Sequence, residues 1–420
     1  MGYILIGTFV ILLVLGVPIA FVLAISGFAA ILYEGYPLVV MSQRFFTGLD
    51  SFPFMAIPLF MLAGSIMAKG GVTQRIIDFA LSIFGSIRGA LSHVVASSGI
   101  LMGGISGSGV ADTAALGSIL IPEMKRRNYD PGFSAALVAA SGSIGLILPP
   151  SIALIIYGVS TQTSIGDLFL AGLIPGIVIG IGFIIYSYFV ARKYQYPKED
   201  SFSWKKVWVS LRKTILALLM PVIIIVGIRG GIFTATEGGA IVALYSLFLG
   251  VFIYREIKIK DLPKIFYDAA ISTAMISTII GATTLFSWLL SSEQIPQKLT
   301  QSLLGVTDNP VLLLLIINVI LLLSGLFLDS GPAILLLSPI LAPVAASIGV
   351  DMVQFGLIMV INLTIGLLTP PVGTAMFVAS NISGVPVLKL AKNLLPFWLI
   401  MIFVLLIITF VPSVTTFVVK

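Results

Sequence analysis

The sequence has no cysteine, a single histidine (His93), and only 10% charged residues in 420. Without thiols there can be neither a disulfide framework nor a thiolate metal site. A charged fraction this far below the roughly 25% of soluble domains excludes a detachable soluble enzyme, because the chain needs lipid as its solvent. No Walker-type phosphate-binding loop is present, so ATP is not expected to power any process from within this chain. Long polar segments are also scarce. The longest, 192–213, carries Pro197, Glu199 and Asp200 and reads as a linker between two membrane halves.

What the chain does have is apolar sequence, 58% of its residues. Apolar runs recur from end to end, at 4–32, 168–190, 215–228, 241–254 and 394–411, so this is a polytopic membrane protein rather than one with a lone signal sequence. The run 4–32 is interrupted at Pro18 and reads as one long span or something more broken. The net charge of +6 does not point to nucleic acid. Nineteen of the 23 Lys and Arg fall in loops on one side of the expected spans, around Lys69 to Arg88, Lys125 to Arg127, Arg192 to Lys213, Arg255 to Lys264, and Lys389 with Lys392. That side is expected to be cytoplasmic by the positive-inside rule. Arg44, Arg229, Lys298 and Lys420 fall opposite, which places the C-terminus outside.

The chain repeats itself. Ile144-Gly145-Leu146-Ile147-Leu148-Pro149-Pro150 returns 221 positions later as Ile365-Gly366-Leu367-Leu368-Thr369-Pro370-Pro371. Each copy follows an apolar run, a Gly/Ser-rich break containing an aspartate, and a second apolar run. The breaks are 103–113, with Asp112, and 324–332, with Asp329. Arms of about 8 to 13 residues are too short to cross a core of roughly 30 Å, so both pairs are expected to be re-entrant hairpins. Arg88 and Lys125 to Arg127 flank the first, which should enter from the cytoplasm. Asp308 and Asp351 flank the second, which should enter from outside, as inverted repeats demand. The expected division is a first repeat over 1–191 (hairpin 89–124, broken helix 133–160), the linker 192–213, and a second repeat over 214–420 (hairpin 310–346, broken helix 352–379).

Backbone that leaves helical geometry at membrane depth exposes polar groups that cost several kcal/mol each unless protein, water or a ligand meets them. Pro150 and Pro371 lack an amide hydrogen, so carbonyls around 145–148 and 366–369 lose their usual partners. With the hydroxyls of Ser106, Ser108, Ser151 and Thr369 they make an all-oxygen environment suited to a hard cation such as Na⁺. Helix N-termini after each tip suit an anionic substrate group. Plainer readings stand beside these. Gly-rich stretches in membrane helices also serve as close-packing surfaces. Asp112 and Asp329 read either as intramembrane functional acids or as helix N-caps. Glu237 reads as a first-turn acid, and His93 as an interfacial structural residue rather than a proton relay.

Gly104-Ile105-Ser106-Gly107 matches the short pattern around the nucleophile of rhomboid-type intramembrane serine proteases. His93 lies thirteen residues earlier, about 20 Å along a helical arm, whereas a dyad needs contact at about 3 Å. That disfavours the protease. An ion channel would call for a continuous polar pathway, whereas paired inverted hairpins favour alternating access.

The run opening Gly104-Ile105-Ser106-Gly107-Ser108-Gly109 and closing on Ile121-Pro122, the break Gly145 to Ser151, Phe233-Thr234-Ala235-Thr236-Glu237-Gly238-Gly239 and Glu293-Gln294-Ile295-Pro296 resemble the large membrane subunit of tripartite ATP-independent periplasmic (TRAP) transporters. The resemblance covers essentially the whole chain. It implies a Na⁺-coupled importer of organic acids, such as dicarboxylates or sialic acid, in a bacterial or archaeal cytoplasmic membrane, with no other cofactor. It further implies two partners, a small four-helix membrane subunit, absent from this chain or separate from it, and a soluble periplasmic substrate-binding protein. The implied fold is an elevator of the ion transporter superfamily, in which a scaffold supports a mobile domain carrying both hairpins. Carried onto this sequence, one Na⁺ site falls at Ser106, Ser108, Gly145 and Pro149, and the other at Gly325, Asp329, Gly366 and Thr369. The substrate falls near Ser108, Ser151 and Asp112. Thr369 stands where the first half has Leu148, and Val372 where it has Ser151, so the second site is expected to differ from the first.

Overall fold

A computed structural model of the chain describes residues 1–417 apart from Asp200 and Asp308, and the side chains of these apart from Thr300, Leu303, Leu304 and Val306. Asp200, Asp308 and Lys420, used above in reading the linker, the second hairpin and the outer loops, lie outside the described residues. Regular structure among the described residues is entirely helical, and eight helices are long and apolar enough to cross a membrane. The chain is an all-α polytopic membrane protein. Helices satisfy their own backbone polar groups, which is what a lipid solvent requires. Their outer faces show the same solvent, as with Ile177, Ile181, Ile185 and Phe189, exposed along one stripe of the helix Ile165–Lys193. On that helix's inner side Phe183 is buried edge-on against Phe397, their centroids 5.2 Å apart.

The apolar run 4–32 is two helices, Gly2–Val14 and Ile19–Glu34, parted where Gly16 takes a positive φ and Pro18 supplies no amide. The stretch 192–213, expected to be a linker, is mostly helical. Ile165–Lys193 runs on to Lys193 and the next helix, Trp204–Arg229, begins at Trp204. Lys and Arg in the segment are good helix formers, and Arg192 and Arg212 stack their guanidinium groups over the rings of Tyr188 and Trp208.

One helical hairpin organises the middle of each half. The first has arms Ala90–Ser106 and Gly109–Arg126, the second Pro310–Phe327 and Ser330–Ser347. The arms are 17 and 18 residues in the first and 18 each in the second, longer than the 8 to 13 expected. The Gly/Ser-rich breaks were over-read. Most of 103–113 and 324–332 stays helical, and only Gly107–Ser108 and Leu328–Asp329 leave the helix. At about 1.5 Å per residue each arm is some 26 Å long, so arm length does not carry the re-entrant reading. The tips do bear on it, since each meets the middle of a broken segment.

The first broken segment is Pro131–Ser143, a 3-10 turn Ile144–Leu146, the Pro149-Pro150 pair, and Ile152–Thr161. The second is Met352–Gly366, the Pro370-Pro371 pair, and Thr374–Ser383. Both Pro-Pro bonds are cis. Both segments open on an aspartate cap at the same repeat position: Asp130 Oδ1 accepts from the Phe133 amide at 2.7 Å, and Asp351 Oδ1 from the Val353 amide at 2.8 Å.

The two halves interlace. The outgoing arm Gly109–Arg126 packs on Thr374–Ser383 of the other half, and the outgoing arm Ser330–Ser347 packs on Ile152–Thr161. Likewise Val387–Phe410 packs on Pro131–Ser143 and Ile165–Lys193 on Met352–Gly366. Around this centre, Ala56–Lys69 packs on Ala235–Phe248, and the long helix Leu262–Ser292 packs on Ile19–Glu34, Val39–Leu49 and Ala56–Lys69.

Candidate functional site

The first hairpin turns at Gly107, whose φ of +64° suits glycine, and a Cβ there would lie 2.1 Å from the Pro150 carbonyl. The tip is tied to the broken segment by the Ile152 amide, which donates to the Gly107 carbonyl at 3.4 Å. Below the tip, Gly103 lies against the backbone of Gly145; a Cβ on Gly103 would come within 3.0 Å of the Gly145 Cα. Ser106 Oγ accepts from the Ser108 amide at 3.2 Å. Asp112 sits one turn into the outgoing arm, 1% exposed, and both its carboxylate oxygens lack a hydrogen-bond partner among the described residues. Oδ2 faces Gly145 so closely that a Cβ on Gly145 would stand 2.5 Å from it. A buried, unpaired carboxylate is costly and calls for a cation or a proton.

Ser106, Ser108 and Asp112 line one cavity of about 230 Å³, closed opposite by Met61, Gly64 and Ser65 on Ala56–Lys69, by Val72, Thr73 and Ile76 on Val72–Phe84, and by Ser272. The remaining first-half candidates sit deeper. Gly145 lies behind Asp112, and the Pro149 carbonyl is 3.7 Å from the Cβ position of Gly104. Ser151 is fully buried and turned away from the cavity: its hydroxyl donates to the Leu146 carbonyl at 2.5 Å and accepts from the Leu154 amide at 3.2 Å, capping the restarted helix.

At the second tip, Gly325 and Gly366 are in backbone contact, and a Cβ on Gly366 would lie 2.4 Å from the Gly325 carbonyl oxygen. The Val372 amide donates to the Leu326 carbonyl at 3.2 Å, as Ile152 does to Gly107 in the first half. Asp329 is the N-cap residue by position but makes no side-chain cap bond; it is exposed and accepts from the Thr374 hydroxyl at 3.3 Å. Thr369 donates to the Ile365 carbonyl at 2.7 Å and borders an apolar groove with Leu322, Leu326 and Trp398. The two aspartates thus part company: Asp112 lies past the cap position, which Ser108 holds, and Asp329 holds that position without making a cap bond.

Two other polar residues are structural. Glu237 closes a capping box with Thr234, whose amide donates to Glu237 Oε2 at 2.7 Å. His93 is buried between the rings of Phe84 and Tyr188, on the same helix as Ser106 and far from it, which removes the protease dyad.

Comparison with known proteins settles the family. The model described as "Tripartite ATP-independent periplasmic transporter, DctM component" matches residues 6–414. The chain belongs to this family. It is 40% identical over 405 residues to the sialic acid TRAP transporter large permease protein SiaM of Vibrio cholerae, covering 96% of this chain and 95% of that one. It is also 40% identical over 416 residues to the isethionate TRAP transporter permease protein DctMQ of Oleidesulfovibrio alaskensis, where 99% of this chain spans 66% of the relative's length. Among solved structures, that of the Alcanivorax borkumensis YdaH transporter superposes with a TM-score of 0.61 over 85% of this chain and 86% of the other, at 14% identity, a likeness of fold alone.

A TRAP permease of this family is a multi-pass protein of the cytoplasmic membrane and a transporter component, not an enzyme. Within it, sequence reasoning missed the wall facing the first tip. Gly64, Ser65, Thr73 and Ser272 stand 33 to 166 positions from Ser106 and carry no local motif, so only the fold brings them to the cavity.

Proposed function

We propose that this TRAP permease imports a small organic acid by coupling its passage to Na⁺, moving both hairpins and both broken segments as one body against the surrounding arms. The observation that carries the coupling is Asp112. Its carboxylate is buried with neither oxygen paired, beside Gly145 and in one cavity with Ser106 and Ser108. A hard cation there would meet oxygen ligands and neutralise the acid. With Asp112 assigned to the cation, the acid group of the solute would lie toward Ser108. The second Na⁺ would sit where Gly325 meets Gly366, with Asp329 and Thr369 near it. The organic acid is supported by the names of the sialic acid and isethionate relatives.

The halves are read as inverted repeats because of the 221-residue repeat, the exchanged packing of the outgoing arms, and the opposite charge of the hairpin bases. The cavity lies along the end of Ala56–Lys69 that closes on Lys69, the basic and hence cytoplasmic end, so this conformation is read as inward-facing. A small four-helix membrane subunit and a periplasmic binding protein that delivers the solute complete the transporter in this reading.

The test is uptake into proteoliposomes holding the chain with its small subunit and binding protein. Uptake is expected to need an inward Na⁺ gradient and both partners; uptake unchanged when choline replaces Na⁺ would reject the coupling. The chain has no cysteine, so single cysteines at the two hairpin bases can be labelled without background. They are expected to react from opposite faces of the membrane.

A further inference from the structure

Helical serines and threonines in apolar surroundings commonly return their hydroxyl to the carbonyl one turn earlier. This chain follows the habit at Ser26, Ser97, Thr214, Ser246 and Thr283. Ser65 does not. It lies inside the helix Ala56–Lys69, and its hydroxyl makes no hydrogen bond among the described residues, although the Met61 carbonyl stands four residues back. Thr73, 6% exposed near the start of Val72–Phe84, is likewise without a hydroxyl partner among the described residues. Both line the cavity that holds Ser106, Ser108 and Asp112. Two unmet hydroxyls on a largely apolar wall, facing a transport site, leave hydrogen-bonding capacity that a passing solute can fill.

The cavity's shape limits that solute. Helix Ala56–Lys69 approaches the tip at Gly64, where a Cβ would lie 3.4 Å from the Ser106 carbonyl oxygen. The space of about 230 Å³ is smaller than the roughly 300–1,000 Å³ of pockets for drug-sized ligands.

We propose that Ser65 and Thr73, on the wall opposite the hairpin, are specificity residues that hydrogen-bond a hydroxyl of the solute, so that the preferred substrate class is a short hydroxylated organic acid. This rests on the proposed passage of an acid past the first tip. There the acid group lies toward Ser108 and the cation by Asp112, while the hydroxyl reaches across to Ser65 and Thr73. A short acid lacking the hydroxyl leaves both side chains unmet, and a many-carbon sugar acid overfills the space.

The test measures binding to the chain in lipid nanodiscs in Na⁺, with malate, succinate and N-acetylneuraminate as probes. Malate and succinate share a skeleton and differ by one hydroxyl. Malate is expected to bind about tenfold more tightly than succinate, the worth of one such hydrogen-bonded group, and more tightly than N-acetylneuraminate. In the double variant Ser65→Ala with Thr73→Val the malate preference should fall to within about twofold while succinate binding is kept. Ser65→Thr, which keeps a hydroxyl, should retain the preference and controls for folding. Equal binding of malate and succinate in the unaltered chain, a preference untouched by the double variant, or N-acetylneuraminate binding as tightly as malate would each overturn the proposal. The same titrations without Na⁺ separate the two readings: a malate preference that persists while Na⁺ has no effect strikes the coupling alone, and Na⁺ dependence without a malate preference strikes the specificity alone.

Discussion

The two hairpin tips share a backbone plan and differ in chemistry. In each, a glycine of the incoming arm lies against the glycine that precedes the Pro-Pro pair, Gly103 on Gly145 and Gly325 on Gly366. In each, an amide just past the prolines donates to a carbonyl at the tip. The first tip adds serines, a buried unpaired aspartate and a partly open cavity. The second has Phe327 and Leu328 at the turn, an exposed Asp329 already bonded to Thr374, and an apolar groove beside it. The repeat preserves what positions the backbone, and the side chains are free to diverge. The two proposed Na⁺ sites, built on one plan, need not bind with equal strength.

The comparison can be broken first at its shared part. Gly366→Val would drive a side chain into the Gly325 carbonyl, and Gly145→Val into the Asp112 carboxylate. Overpacking of this kind costs about 1–3 kcal/mol or more and here separates tip from break. Both variants are expected to lose measurable Na⁺-driven uptake, and retention in either would show that the glycine contact is dispensable. The difference between the tips is sharpened next. Asp112→Asn or Ser106→Ala should weaken apparent Na⁺ affinity by about tenfold or more, since a bond to a charged partner is worth about 1.5–3 kcal/mol. Asp329→Ala, at an exposed and already partnered acid, should weaken it by only a few-fold. Titration of uptake against Na⁺ ranks the three, and equal losses would make the two sites equivalent. The smallest effect is expected away from both tips. Thr234→Ala removes one side of the capping box and should lower thermal stability by about 1 kcal/mol with Na⁺ affinity unchanged.

Much of this plan was legible in the sequence because the signals were local. A Pro-Pro pair after Ile-Gly-Leu, seen twice, marks a broken helix whatever surrounds it, and the basic loops mark a side of the membrane. The extent of the breaks was misjudged for a physical reason. Glycine was taken as a helix breaker through 103–113, whereas at Gly99 and Gly103 the helix continues and the missing side chain admits the backbone of Ser141 and Gly145. The polar segment was read as one stretch, whereas Lys205, Lys206, Arg212 and Lys213 lie on the helix Trp204–Arg229. The resemblance put the substrate near Ser151; what the sequence did not show is that the restarted helix takes that hydroxyl as its cap. Asp112 was singled out, but its lack of partners was not readable, because that depends on which side chains the fold brings to it.

The exchange of arms between halves has a consequence for how such a molecule can come apart. Like the fingers of clasped hands, each half grips the other through its outgoing arm, so pulling on one drags its twin along. Severing the short tether between residues 193 and 204 would therefore leave the pair joined, and two separately made fragments should find each other again in one bilayer.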